Sequence, residues 1–189
     1  MVGLIYSWYI NKERIIDMKN RIIKLAVLAI AFISLTSSKL FKAETDFSGK
    51  WTIDYERSRM ADKPFPNTGK KSLKISQLSD RMVLEKFSVD SSGKEQSRLD
   101  TVVFDGKQHL VALSNGLQVL KTVNRSWSAD GGVMTLKSEM VMGSEEEAVV
   151  IKITEDWKIE EGGRKLVLLT AAVFPDHTEK GELVYLRDK

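Results

Sequence analysis

The chain has 189 residues, no cysteine and a formal net charge of +3. That length suits one domain with a real core, and the missing thiols exclude disulfides, thiol catalysis and thiolate metal sites. The basic excess sits at the amino end: residues 1–43 hold seven Lys/Arg and two Asp/Glu, so the remainder carries 22 basic against 24 acidic side chains. The charge argument for a nucleic-acid partner leaves with that segment.

From Met18 the chain reads Met-Lys-Asn-Arg-Ile-Ile-Lys, then an uncharged apolar run over 25–35, then Thr36-Ser37-Ser38. A basic region, a short apolar region and small residues together describe a secretory signal. The run is short for a bilayer span, so an uncleaved anchor is the lesser alternative. The pattern predicts that Met18 starts translation, that 1–17 is not translated and that the mature chain begins between Lys39 and Glu44. A leader over 1–43 and a single domain over 44–189 follow, with a periplasmic or extracellular destination and no stable membrane insertion of the mature chain.

The first strand is expected within 46–58. Gly49 permits a sharp turn, and Trp51, Ile53 and Tyr55 then alternate with Lys50, Thr52, Asp54 and Glu56, one face for a core and one for water. Residues 59–71 hold Pro64, Pro66, Asn67 and Gly69 and read as a surface excursion. Its Met60 and Phe65 could form a flap over a barrel mouth, although an ordinary long connection is the plainer reading. Leu73, Ile75 and Gln77 alternate next. Val83, Glu85, Phe87 and Val89 share one face of the third strand. Leu99, Thr101 and Val103 lead to Asp105-Gly106, a hairpin signal. A short strand over 107–113 ends at Ser114-Asn115-Gly116. Two long hairpins follow, 119–128 with 133–142 and 148–159 with 165–174, and Leu183 to Leu186 close the series. The strand–turn rhythm predicts an all-β fold. About eight to ten antiparallel strands would form an up-and-down barrel, since closure removes edges; an open sandwich is the alternative.

Phe47-Ser48-Gly49-Lys50-Trp51 with Glu56-Arg57-Ser58-Arg59, the turn Phe104-Asp105-Gly106-Lys107, and Trp127 before Gly132 resemble small exported bacterial lipocalin-like (calycin-type) proteins. The resemblance spans most of 46–187. Gly49-Lys50-Trp51 matches the lipocalin Gly-x-Trp opening, and Arg187 stands where that family places a basic residue over the Trp. There is no match to the second lipocalin motif and no cysteine pair. The resemblance implies a barrel that holds a small apolar molecule; it carries over no ligand residue.

Alternation sets Trp127 on one face with Val119, Lys121, Val123 and Arg125, and Trp157 with Ile151, Ile153, Glu155 and Ile159. If the tryptophans face inward, Lys121, Arg125 and Glu155 do too, and buried charges must pair or meet water or ligand. A polar patch gripping a ligand head group is one reading; an Arg125–Glu155 structural pair, or faces running the other way, is the other. Met134, Leu136, Met140 and Met142 share a face that suits a ligand cavity or an ordinary core. His109 and His177 do not converge on a metal site, and Glu145-Glu146-Glu147 reads as a solvated turn. No nucleophile motif is present.

The sequence therefore predicts an exported lipocalin-like protein that binds a small hydrophobic or amphipathic molecule without chemistry. The tentative ligand residues are Lys121, Arg125, Trp127, Met140, Glu155 and Trp157, with Gly49, Trp51 and Arg187 structural. It predicts no metal, no cofactor, no enzymatic activity and no nucleic acid. The alternative is a cell-envelope interaction or structural protein whose barrel is filled by its own side chains.

Overall fold

Alternating apolar and polar residues recur from 71 to 187, and the backbone responds with one antiparallel sheet. A computed structural model describes residues 43–89, 93–113, 116–143 and 148–188. The leader and the Glu145-Glu146-Glu147 run lie outside the described residues. The strands are β1 (Gly49–Ile53), β2 (Arg59–Met60), β3 (Lys63–Pro64), β4 (Lys71–Gln77), β5 (Arg81–Val89), β6 (Glu95–Val103), β7 (Gln108–Ala112), β8 (Gln118–Trp127), β9 (Val133–Met142), β10 (Val149–Glu160), β11 (Lys165–Val173) and β12 (Thr178–Arg187). Their order across the sheet is β6-β5-β4-β1-β12-β11-β10-β9-β8-β7, with β2 on β12 and β3 on β2. Ten strands run up and down, and two strands of two residues each add to the expected count. Pro64 sits on the outermost of these, where its missing N–H breaks no ladder.

The sheet is one surface curled on itself, not two stacked sheets. Met82 of β5, Val123 of β8, Met134 of β9 and Leu166 of β11 share one buried cluster with Phe47 and Trp51. Strands far apart in the order thus turn their inner faces to a common centre. The last strand pairs with the first, Trp51 opposite Arg187. The ring is nevertheless not laddered all round. Among the described residues no strand pairing joins β6 to β7. The Arg98 guanidinium crosses there instead and donates to the Ala112 carbonyl, 3.1 Å away, occupying an acceptor that a ladder would use.

One end of the barrel is plugged. Phe47 and Trp51 are both fully buried, and the Trp51 indole N–H donates to the Phe47 carbonyl at 3.0 Å. Arg187 lies over the Trp51 ring, 4.7 Å from its centroid, and donates to the Ser48 carbonyl at 2.7 Å. Gly49 has φ +140°, and a Cβ there would stand 3.2 Å from the Arg187 guanidinium. Glycine is required at this position for its backbone angle and for the close approach of that cation.

The first strand is shorter than alternation alone suggests. The Asp54 carboxylate accepts from the backbone N–H of Glu56 at 3.1 Å and of Arg57 at 3.2 Å, the local competition that favours a turn over a ladder. Tyr55 leaves the sheet, donates its hydroxyl to the Gly69 carbonyl and stacks on Phe65, centroids 6.0 Å apart. Ser58 returns the chain to the barrel. It is fully buried, accepts from the Val184 N–H at 3.0 Å and donates to the Asp54 carbonyl at 2.7 Å. The excursion over 59–71 is thereby pinned to the outside of β12.

Candidate functional site

The pleat sends every second residue of each strand to the inside. On β10 these are Ile151, Ile153, Glu155, Trp157 and Ile159; on β11, Leu166, Leu168 and Thr170; on β5, Met82, Leu84 and Lys86. Below the Trp157 rung lies the buried cluster of Phe47, Trp51, Met82, Met134 and Leu136. Above it lies a cavity of about 610 Å³. Ile53, Leu73, Leu84, Trp157, Leu168 and Leu183 make its apolar lining, and Phe65 from the excursion stands at its rim.

Its two walls differ. Lys71, Lys86 and Arg98 come from β4, β5 and β6. The Lys86 side chain stays 54% exposed, so the cavity opens to water on this side. Lys86 Nζ and Arg98 Nε each lie 2.7 Å from the Asp100 carboxylate. Burial alone would raise the Asp100 carboxyl, but the hydrogen bonds and charges of Lys86 and Arg98 outweigh it and hold the group below the ordinary carboxylate range. With Lys71 in no ion pair among the described residues and Lys86 and Arg98 sharing one carboxylate, this wall is positive.

Glu155, Thr170 and Tyr185 occupy the opposite wall, on β10, β11 and β12. Glu155 and Thr170 are cross-strand partners. The Glu155 carboxyl makes no hydrogen bond or ion pair to any described residue. Burial raises its pKa, and the charges of Lys121 and Lys86 only partly oppose this. Burial, with Glu155 and Tyr55 nearby, pushes the Tyr185 hydroxyl up to about 12. The Trp157 indole N–H and the Ser138 hydroxyl are also buried without a partner among the described residues.

The sequence-predicted ligand residues divide between two places. Glu155 and Trp157 line the cavity. Lys121 faces the same interior, opposite Met140 on β9, and its charge reaches Glu155. Arg125 and Trp127 belong to the plugged end. The Arg125 guanidinium donates to the Ser79 carbonyl at 2.9 Å and covers Phe104 at 4.8 Å. Trp127 stacks on Phe47 with centroids 6.0 Å apart. Arg125 thus braces the β4–β5 turn rather than pairing with Glu155. Sequence reasoning missed Lys86, Arg98 and Asp100. Their signal was present as opposite charges two residues apart on β6 and across from Lys86, but both faces of β5 carry large apolar residues, which hid the inner one. The histidines stay apart: His109 lies 2.9 Å from Asp105 and His177 2.7 Å from Asp176. Among the described residues no group of three or more His, Asp or Glu could hold a metal.

A pH effect follows from Glu155. Its folded-state pKa lies above the ordinary value of 4.5, so the folded chain keeps a proton that the unfolded chain releases. Stability is then full below about pH 4.5 and is lost as pH rises from there through the folded pKa. Asp46, Asp100 and Asp105, all lowered from 3.8, act oppositely and at lower pH. Denaturant melts of wild type and Glu155→Gln between pH 4.5 and neutrality isolate the effect. The wild type should lose stability relative to the variant as pH rises, and parallel curves would refute the assignment.

No family model matches the chain, and no curated protein matches it either. Among solved structures, zebrafish ileal bile acid-binding protein complexed with cholic acid aligns at 15% identity and a TM-score of 0.46, over 75% of this chain and 98% of that one.

Proposed function

We propose that this chain is an exported protein whose barrel takes up one small amphipathic molecule and leaves it chemically unchanged. The observation that carries the reading is the cavity of about 610 Å³ above the Trp157 rung. Its size falls in the range of small-molecule sites, and its lining joins apolar side chains to polar and charged ones, as an amphipathic molecule requires. A barrel filled by its own side chains needs no such space. The signal-like run over 18–38 supports export.

Trp157 lines the cavity and reports on it. Titrating the purified protein with dodecanoic acid should change tryptophan fluorescence and saturate near one equivalent. Trp157→Phe should lose most of that change. No fluorescence response, together with no bound small molecule in native mass spectra of protein purified from its own organism, would overturn the reading.

A further inference from the structure

We propose that the ligand carries two polar groups: an anion held by the open wall of Lys71, Lys86 and Arg98, and a neutral hydroxyl held by the half-buried wall of Glu155, Thr170 and Tyr185. This rests on the binding function proposed above and specifies the class of molecule.

The open wall selects an anion because it carries three basic side chains and only the Asp100 carboxylate, which Lys86 and Arg98 share. Lys71 has no ion pair among the described residues and lies 5.7 Å from the Phe65 ring centroid, at the rim. The half-buried wall selects something else. A second carboxylate beside Glu155 would set two like charges in a poorly solvated place. A ligand cation would face Lys121 and Lys86, whose charges already reach that carboxyl. A hydroxyl avoids both costs, because it donates and accepts at once. Glu155 makes no hydrogen bond to any described residue, and Thr170 offers its oxygen with only a long bond, 3.4 Å, to the Gly181 carbonyl. Register sets Glu155 and Thr170 side by side, and Tyr185, opposite Leu166, stands two inner rungs lower, within electrostatic reach of Glu155. The three polar groups line one cavity, among Trp157, Leu168 and Leu183 of the same wall. A plain fatty acid would leave them covered and unsatisfied; a hydroxylated amphiphile would not.

The test compares dodecanoic acid with its monohydroxy isomers, the hydroxyl near the carboxylate, mid-chain or terminal. At least one isomer should bind wild type about tenfold more tightly than dodecanoic acid, the effect of one hydrogen bond to a buried group. Glu155→Leu should erase that preference and Glu155→Gln should keep it, with melting curves showing that both variants fold. Replacing dodecanoic acid by dodecanol should weaken binding to wild type, and less so to Lys71→Gln. Equal binding of all isomers to wild type overturns this inference and leaves the binding function standing. No binding of any probe overturns both.

Discussion

Trp51→Ala should cost about 3–5 kcal/mol in denaturant melts, the range for a large aromatic truncated in a core. Three contacts go at once. The indole is fully buried, its N–H is the donor that fixes the Phe47 carbonyl, and its outer face carries the Arg187 guanidinium. Truncation leaves a space that Arg187 cannot fill, since its other contact, to the Ser48 carbonyl, holds it at the rim. A loss below roughly 1 kcal/mol would show that the plug does not hold this end of the barrel.

Phe47→Ala should cost a similar amount, about 3–5 kcal/mol, although Phe47 belongs to no strand. It is fully buried between Trp127, stacked at 6.0 Å, and Trp157, edge-on at 6.1 Å. The segment before β1 is tied down around it: the Phe47 N–H donates to the Gln77 side chain at 3.0 Å, and Gln77 donates back to the Thr45 carbonyl at 3.1 Å. Phe47 and Trp51 are in contact, so their losses should not add. The double variant should lose less than the sum of the singles by about 0.5–3 kcal/mol. Additivity would mean that the two side chains are seated independently.

The strand order was readable because turn signals punctuate it. Asp130-Gly131 and Gly162-Gly163 fall at hairpin ends, each with a glycine at positive φ; Asp105-Gly106 turns the chain as well, but the hairpin expected there does not form, since β6 and β7 do not pair among the described residues. Alternation on β8 and β10 grouped Arg125 with Trp127 and Glu155 with Trp157 and left their direction open; the structure turns both faces inward. Where a long inner side chain ends was not readable. Arg125 and Glu155 share a rung, for Arg125 pairs with Leu136, which pairs in turn with Glu155, yet the Arg125 guanidinium reaches the Ser79 carbonyl in the β4–β5 turn instead. Tyr55 was misplaced for a local reason, since the Asp54 side chain takes the backbone donors that a continuing strand would need. The basic wall was hidden because a strand apolar on both faces, such as β5, gives period-two reasoning nothing to choose by.

The seam between β6 and β7 gives the barrel a direction of compliance. Elsewhere, widening the ring means parting a run of backbone hydrogen bonds that open together. Among the described residues this seam is spanned by one side-chain bond, from Arg98 to the Ala112 carbonyl. Among those residues the two edges are therefore held by no ladder, only by that bond and by the packing of Val102 and Phe104 on the core. Arg98 also belongs to the cavity wall. The group that latches the slit is thus one that the proposed anion would draw inward, so that filling the cavity and holding the latch would compete for the same guanidinium.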